Sequence, residues 1–80
     1  MAVNVRYFAG ARAAAGSAEG RAEAATLAEL RTELAARYGA ALERVLAGAS
    51  FLVDGVSVQD PAYRLAEGAT VDVLPPFAGG

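Results

Sequence analysis

The sequence predicts a small α+β domain, in which a mixed sheet of four to five strands carries one main helix on one face. Two segments, one near each end of the chain, alternate apolar and polar residues, which is the period of a half-buried strand. Between them, leucines at helical spacing define one amphipathic helix. Since one helix cannot cover both faces of a sheet, we expect it to pack on one side.

Composition limits the chemistry that such a domain can perform. The 80 residues have room for one domain with one modest core. Cysteine and histidine are absent, which excludes disulfides, thiolate metal sites, a cysteine nucleophile and the commonest general base. All seven positive side chains are arginines, so a Schiff-base lysine is excluded too. Chemistry must come from carboxylates, hydroxyls, the backbone or the chain end, and we expect no catalysis by the domain alone and no metal site.

Charge and hydropathy argue against two further classes of protein, those that bind nucleic acids and those that span a membrane. The net charge of −2 gives no basic stripe of the kind that nucleic-acid-binding proteins carry. No apolar run approaches the ~18 residues of a membrane span, and the first residues show no signal-peptide pattern. We therefore expect a cytoplasmic domain without nucleic-acid or membrane partners.

The N-terminal third predicts two strands. Residues 3–8 alternate, so Val3, Val5 and Tyr7 face inward. Residues 10–20 are rich in glycine, alanine and serine and are predicted to form a turn. A weak strand is predicted at residues 21–24, where alanine gives little signal.

The helix is predicted from Leu27 to Tyr38. It begins with a capping box, in which the Thr26 hydroxyl accepts from the Glu29 amide and the Glu29 carboxylate reaches back to the amide of Thr26. Gly39 stands where a left-handed C-cap is expected, and residues 41–46 are predicted to add a short helical turn. The apolar face consists of Leu27, Leu30, Leu34 and Tyr38. A surface ion pair is predicted between Glu33 and Arg37.

The C-terminal half predicts a hairpin and a last strand. Residues 51–58 are two apolar runs around Asp54-Gly55, a sequence that favours a type I′ turn with positive φ at both residues. Residues 69–74 alternate again, and Pro75-Pro76 ends the strand because proline cannot donate to a ladder. This order of elements is that of a β-grasp fold.

In a β-grasp sheet the first and last strands are parallel neighbours. Arg6 is then expected beside Asp72, and Phe8 beside Leu74, all on the outward face. An outward Phe8 and Leu74 make an exposed apolar patch, which is typical of an interface.

The C-terminal segment is interpreted as a delivery arm. We expect a domain over residues 1–74 and a flexible arm over residues 75–80, with the sequence Pro-Pro-Phe-Ala-Gly-Gly. Prolines favour an extended path, and glycines can enter a channel too narrow for a side chain. A frayed terminus is the alternative.

The same segment carries a resemblance. The ending Leu65-x-x-Gly68, then Val-Asp-Val-Leu-Pro-Pro-Phe-Ala-Gly-Gly over residues 71–80, resembles the C-terminal signature of the MoaD/ThiS sulfur-carrier family. Arg6-Tyr7-Phe8-Ala9, with Ala11-Arg12 and Gly16, resembles the family's first strand and turn. The Pro-Pro ending is most similar to the small subunit of molybdopterin synthase. Ala69 departs from the family, which often has Asp there.

The resemblance implies a mechanism and a set of partners. An E1-like adenylating and sulfurylating enzyme consumes ATP to activate the Gly80 carboxylate, and sulfur from a persulfide donor converts it to a thiocarboxylate. The arm then delivers the sulfur to a pterin precursor in the large subunit of molybdopterin synthase, so no bound cofactor is expected. Gly79 and Gly80 are the candidate reactive residues. The candidate partner contacts are Phe8, Arg12, Leu74, Pro75, Pro76, Phe77 and Ala78.

Three alternatives remain at this point. A similar carrier can serve another pathway, namely cysteine, thiamin, tRNA thiolation or secondary-metabolite synthesis. The same activated Gly80 would also serve a ubiquitin-like protein modifier, although without lysine the chain could not form lysine-linked chains of itself. The last alternative is a β-grasp binding module with an incidental Gly-Gly end.

Overall fold

A computed structural model describes residues 1–76, and Phe77, Ala78, Gly79 and Gly80 lie outside the described residues. In the described part, no helix is long and apolar enough to cross a membrane. The elements in chain order are β1 (Ala2–Tyr7), α1 (Gly10–Ala15), β2 (Glu19–Glu23), α2 (Leu27–Tyr38), α3 (Ala40–Gly48), β3 (Ser50–Val53), β4 (Val56–Val58) and β5 (Thr70–Leu74).

The five strands form one mixed sheet in the order β2-β1-β5-β3-β4. β1 and β5 lie at its centre and run parallel, as predicted, while the other three pairings are antiparallel. In the parallel register Arg6 lies opposite Asp72, and Tyr7 lies opposite Val73. β1 and β5 are therefore paired along their length, and their carboxyl ends meet at the same edge of the sheet.

The core lies between the sheet and the helices. Its centre is formed by alternate residues of β1 and β5 and by the leucines of α2. Leu42 and Leu46 of α3 complete it from the side. The large side chains that are almost fully buried are Val3, Val5, Tyr7, Leu27, Leu30, Leu34, Leu42, Val71 and Val73. The predicted inward faces of both central strands are thus confirmed.

The start of α2 confirms half of the predicted capping box. The Thr26 hydroxyl accepts from the Glu29 amide at 3.2 Å. The Glu29 carboxylate, however, accepts from the amide of Ala25 at 3.0 Å and not from that of Thr26, so this part of the prediction was wrong. Thr26 has an extended backbone and forms an isolated β-bridge with Arg64. In this conformation the amide of Ala25 faces the Glu29 carboxylate.

Two helices differ from the sequence prediction. Residues 10–15 form α1 where a turn was predicted, and α3 covers nine residues where only a short helical turn was predicted. Alanine has the highest helix propensity, and burial of Ala11 anchors the short α1 against the core. Gly39 has the predicted positive φ of 85°, but its ψ of −166° is not left-handed helical, because the chain turns there directly from α2 into α3.

The hairpin between β3 and β4 has the predicted turn. Asp54 and Gly55 both have positive φ, at 49° and 85°. Asp54 also accepts from the amide of Thr70 through its carboxylate at 2.9 Å, which ties the turn to β5. On α2, the predicted pair between Glu33 and Arg37 is formed. β2 begins two residues earlier than the weak strand predicted at residues 21–24.

Candidate functional site

The centre of the uncovered face of the sheet holds one ion pair. Arg6 on β1 donates to Asp72 on β5 through two parallel bonds, from Nε to Oδ1 at 2.6 Å and from Nη2 to Oδ2 at 2.9 Å. Such a fork fixes both side chains in one geometry. Asp72 is nearly buried, whereas the Arg6 side chain is half exposed. The predicted neighbourhood of these two residues is therefore an actual contact.

The pair also fixes the charge of Arg6. The hydrogen bonds that Arg6 donates to Asp72 and the attraction of the carboxylate charge raise the pKa of Arg6 above its ordinary value. The guanidinium group lies 6.0 Å from the centre of the Phe8 ring. The guanidinium group therefore lies beside an aromatic ring, an arrangement of the cation–π type, while the Asp72 carboxylate balances its charge.

Phe8 and Leu74 lie at the edge of the sheet where β1 and β5 end. The Phe8 amide donates to the Val73 carbonyl at 3.1 Å, which continues the parallel pairing by one residue. Phe8 is 39% exposed, as predicted. Leu74 is half-buried, so the patch predicted at Phe8 and Leu74 is less exposed at Leu74 than at Phe8.

Both side chains line one groove rather than a flat patch. The groove has a volume of about 470 Å³ and is predominantly apolar. Its walls come from the end of β1, the start of α1, the end of α3 and the first residues after β5. The lining residues are Phe8, Ala9, Gly10, Ala11, Arg44, Val45, Gly48, Leu74, Pro75 and Pro76. We call this feature the root groove. The half-burial of Leu74 follows from its place in this concave surface.

Ala9 makes the turn at the rim of the root groove with a rare backbone conformation. Its φ of 50° and ψ of −122° lie outside the regions that residues with a Cβ atom prefer. Such a conformation costs about 1–3 kcal/mol and persists where surrounding contacts enforce it. Here it places Phe8 at the sheet edge and starts α1 in the next residue.

Ser50 is the polar residue closest to the exit of the chain from the sheet. It opens β3, lies opposite Leu74 and is buried. Its hydroxyl donates to the carbonyl of Pro76 at 3.3 Å. The last described residue is thereby hydrogen-bonded to the neighbouring strand.

The structure does not place Arg12 in the root groove. Arg12 is exposed on α1 and lines a separate shallow surface with Ala9, Ala13 and residues 16–18. Its carbonyl accepts from the amide of Gly16, which ends α1 in a left-handed conformation. Its role as a partner contact stays a prediction.

Of the other candidate residues, those up to Pro76 are described by the structure and those after it are not. Pro75 and Pro76 line the root groove. The predicted reactive residues Gly79 and Gly80, together with Phe77 and Ala78, lie outside the described residues. Their roles stay predictions.

Sequence reasoning missed the contribution of α3 and of Ser50. Arg44, Val45 and Gly48 form one wall of the root groove, and only the full length of α3 brings them there. Leu42 and Leu46, four residues apart, were the available signal for that helix. For Ser50, the signal was a serine at the first position of a strand of otherwise apolar residues.

The fold and the family can now be stated from comparison with known proteins. A mixed five-stranded sheet with helices packed on it, its first and last strands parallel at the centre, is the β-grasp fold of ubiquitin-like proteins. The model of the ThiS family matches residues 5–80. The chain therefore belongs to the ThiS family, the ubiquitin-like sulfur-carrier family that its C-terminal motif resembles. No curated protein matches the chain in sequence.

Solved structures share this fold over nearly the whole chain. A putative molybdopterin converting factor subunit 1 from Pyrococcus furiosus is 28% identical, with a TM-score of 0.79, over 95% of this chain and 98% of that one. Small archaeal modifier protein 1 from Methanosarcina acetivorans is 23% identical, with a TM-score of 0.84, over 99% and 96%. Subunit 1 in a complex of subunits 1 and 2 of the molybdopterin-converting factor from Helicobacter pylori is 24% identical, with a TM-score of 0.72, over all of both chains.

Proposed function

We propose that the chain is the sulfur carrier of molybdopterin synthesis and acts as the small subunit of molybdopterin synthase. The observation that carries this proposal is the ending Leu-Pro-Pro-x-x-Gly-Gly directly after β5, in a chain of the ThiS family. The likeness to the Pyrococcus furiosus subunit supports it. So does the Helicobacter pylori complex, in which a protein of the same fold is paired with a second subunit.

The proposed chemistry takes place at the carboxylate of Gly80. That group is ionised at neutral pH and is therefore a poor electrophile. An activating enzyme transfers AMP to it from ATP and releases pyrophosphate. A persulfide sulfur then attacks the acyl carbon and displaces AMP, and reduction of the resulting acyl disulfide by a thiol leaves a thiocarboxylate on Gly80. The partners supply the catalytic side chains, which agrees with a sequence without cysteine, histidine or lysine.

The described residues have a docking role in this proposal. The root groove offers apolar surface where the arm begins, Arg44 adds a positive charge to its lining, and the Arg6–Asp72 ion pair lies beside Phe8. An apolar concavity with charges nearby is suited to hold a partner. A partner bound there receives the arm in a defined place, since Pro75 and Pro76 are part of the same surface.

A second candidate is a carrier for another sulfur pathway or a modifier of other proteins. The modifier form is kept because small archaeal modifier protein 1, whose name states that role, shares this fold. Both candidates use the same activated Gly80. They differ in the acceptor, which is the pterin precursor in the first candidate and another small molecule, a tRNA or a lysine of another protein in the second.

Reconstitution distinguishes the candidates. The chain with a chemically installed Gly80 thiocarboxylate is mixed with a large subunit of molybdopterin synthase and its pterin precursor. Molybdopterin formation, with loss of the thiocarboxylate, is the expected result. If no product forms in that mixture, while cysteine or thiazole synthase consumes the thiocarboxylate or covalent protein adducts appear on a blot, the molybdopterin assignment is contradicted.

A further inference from the structure

Ser50 is unusual because it is a buried polar residue at the first position of a strand that is otherwise apolar. Among the described residues, two polar or charged residues are buried, Ser50 at 6% exposure and Asp72 at 7%. Buried polar groups in folded proteins are normally kept by a hydrogen bond. For Asp72 the partner is Arg6 on the adjacent strand. For Ser50 it is the Pro76 carbonyl, beyond the end of the sheet.

The position of Ser50 on β3 explains why its hydroxyl is needed. Ser50 pairs with Leu74, the last residue of β5. Regular pairing cannot continue past Leu74, because neither Pro75 nor Pro76 has an N–H group to donate. The serine hydroxyl supplies a donor from the opposite strand and reaches two residues further, to Pro76. A side chain thus extends the contact between β3 and the chain that leaves β5.

This contact orients the start of the arm. Each proline has its φ fixed near −65° by the ring, so few backbone rotations remain between Leu74 and Pro76. A hydrogen bond to the Pro76 carbonyl fixes the peptide plane that leads to the next residue. Pro75 and Pro76 also form part of the lining of the root groove. The residue that Ser50 holds therefore belongs to the surface proposed to receive a partner.

We propose that Ser50 is a positioning residue: its hydroxyl holds Pro76 and sets the direction in which the C-terminal arm leaves the domain. A chain that is already oriented loses less conformational freedom when a partner captures it. The effect on direction is a property of the free protein. Its consequence for catalysis rests on the proposed function.

The direction of the arm can be measured with two spin labels. The sequence has no cysteine, so the double variant Ala66→Cys, Ala78→Cys carries the label at two known places. Ala66 is exposed in the loop before β5, and so at the other end of that strand from the arm. Pulsed dipolar spectroscopy then gives the distance distribution between the labels. We expect Ser50→Ala to broaden this distribution relative to the parent.

Two further variants assign the effect to the hydroxyl. Ser57→Ala on β4 makes the same change at an exposed serine and is expected to leave the distribution as in the parent. Ser50→Thr keeps a hydroxyl and is expected to restore the parent distribution. An unchanged distribution in Ser50→Ala overturns the proposal. Equal broadening in Ser50→Thr also overturns it, because the cause would then be strand packing.

A kinetic readout separates positioning from stability. With a cognate activating enzyme, we expect Ser50→Ala to raise KM for the carrier about two- to tenfold, the range for loss of one neutral hydrogen bond, with kcat unchanged. A fall in kcat at constant KM contradicts the positioning role. If even the parent chain is not activated, the proposed function fails, and the spin-label distributions still decide the role of Ser50.

Discussion

Tyr7 combines deep burial with a hydroxyl group that has no hydrogen-bond partner among the described residues. It is 2% exposed, and its ring meets the ring of Tyr38 edge to face at a centroid distance of 5.8 Å. Burial disfavours the phenolate and raises the pKa of Tyr7 well above its ordinary value. The ring therefore contributes to the core, while its hydroxyl contributes a cost.

Tyr7→Phe is expected to change the response of stability to alkaline pH. Because the pKa of Tyr7 is higher in the folded than in the unfolded chain, its contribution is fully present below about pH 10 and is lost as the pH rises towards the folded-state pKa. Phenylalanine has no such group, so the variant should lose less stability above pH 10. At neutral pH it should be at least as stable as the parent, because an unpaired buried hydroxyl is removed.

Urea unfolding at neutral pH and above pH 10 measures both effects. Tyr63→Phe is the matched control, since Tyr63 is an exposed tyrosine and its substitution should leave the parent's pH profile unchanged. A variant that loses stability with pH as steeply as the parent would show that Tyr7 is not the group responsible.

Among the secondary-structure elements, α2 contributes three buried leucines to the core. Leu34 is fully buried on its inner face, whereas Thr26 acts only through the cap. Leu34→Ala should lower the free energy of unfolding by about 2–5 kcal/mol through lost burial and the cavity left behind. Thr26→Ala should lower it by about 1 kcal/mol. Chemical denaturation of both variants tests this order, and the reverse order would contradict the register of α2 in the core.

The elements that the sequence predicts well are those with a local signal. The alternation in β1 and β5, the cap and leucine spacing of α2 and the Asp54-Gly55 turn each specify structure within a few residues. The sequences of α1 and α3 lack a clear contrast between apolar and polar positions, because alanine fits equally well on a buried or an exposed face. Their extent depends on the packing of their own residues Ala11, Leu42 and Leu46 into a core formed by residues distant in the sequence.

In the candidate site, too, the features with a local sequence signal were predictable and those that depend on tertiary packing were not. The side-chain parity of two strands predicted that Arg6 meets Asp72 and that Phe8 lies near Leu74. The concave shape of the root groove was not predictable, because Arg44, Val45 and Gly48 reach it through the tertiary position of α3. The bond from Ser50 to Pro76 likewise depends on the pairing of β3 with β5.

At the scale of the whole molecule, the proposed function requires one surface to serve two partners. In that proposal the activating enzyme and the large synthase subunit both need the arm, and the root groove lies where the arm begins. In the proposed function they therefore compete for the same surface, so loading and delivery of sulfur alternate. Competition between the two partners for the carrier in a binding assay is the expected behaviour.

Phe8→Ala should weaken binding to both partners. As an aromatic anchor, Phe8 is expected to contribute about 2 kcal/mol or more of binding free energy, with the loss mainly in a faster dissociation rate. Charge reversal by Arg44→Glu should instead change mainly the association rate. Surface plasmon resonance with each partner measures both rates.

The control for Phe8 is an aromatic residue of equal exposure elsewhere. Tyr63 is 40% exposed, against 39% for Phe8, and does not line the root groove. Tyr63→Ala should leave both affinities unchanged. Unaltered binding by Phe8→Ala, or a large loss of its folding stability, would show that the docking surface lies elsewhere.

The central claim is that the carboxylate of Gly80 carries sulfur, and intact mass spectrometry tests it most directly. The chain is incubated with ATP, a cognate activating enzyme and a persulfide source, beside a variant without Gly80 and the variant Gly79→Phe. We expect the parent to gain the mass that corresponds to replacement of one oxygen by sulfur, only when ATP is present, and both variants to remain unchanged. A parent chain that keeps its mass under these conditions, or a chain without Gly80 that gains sulfur equally, would contradict the claim.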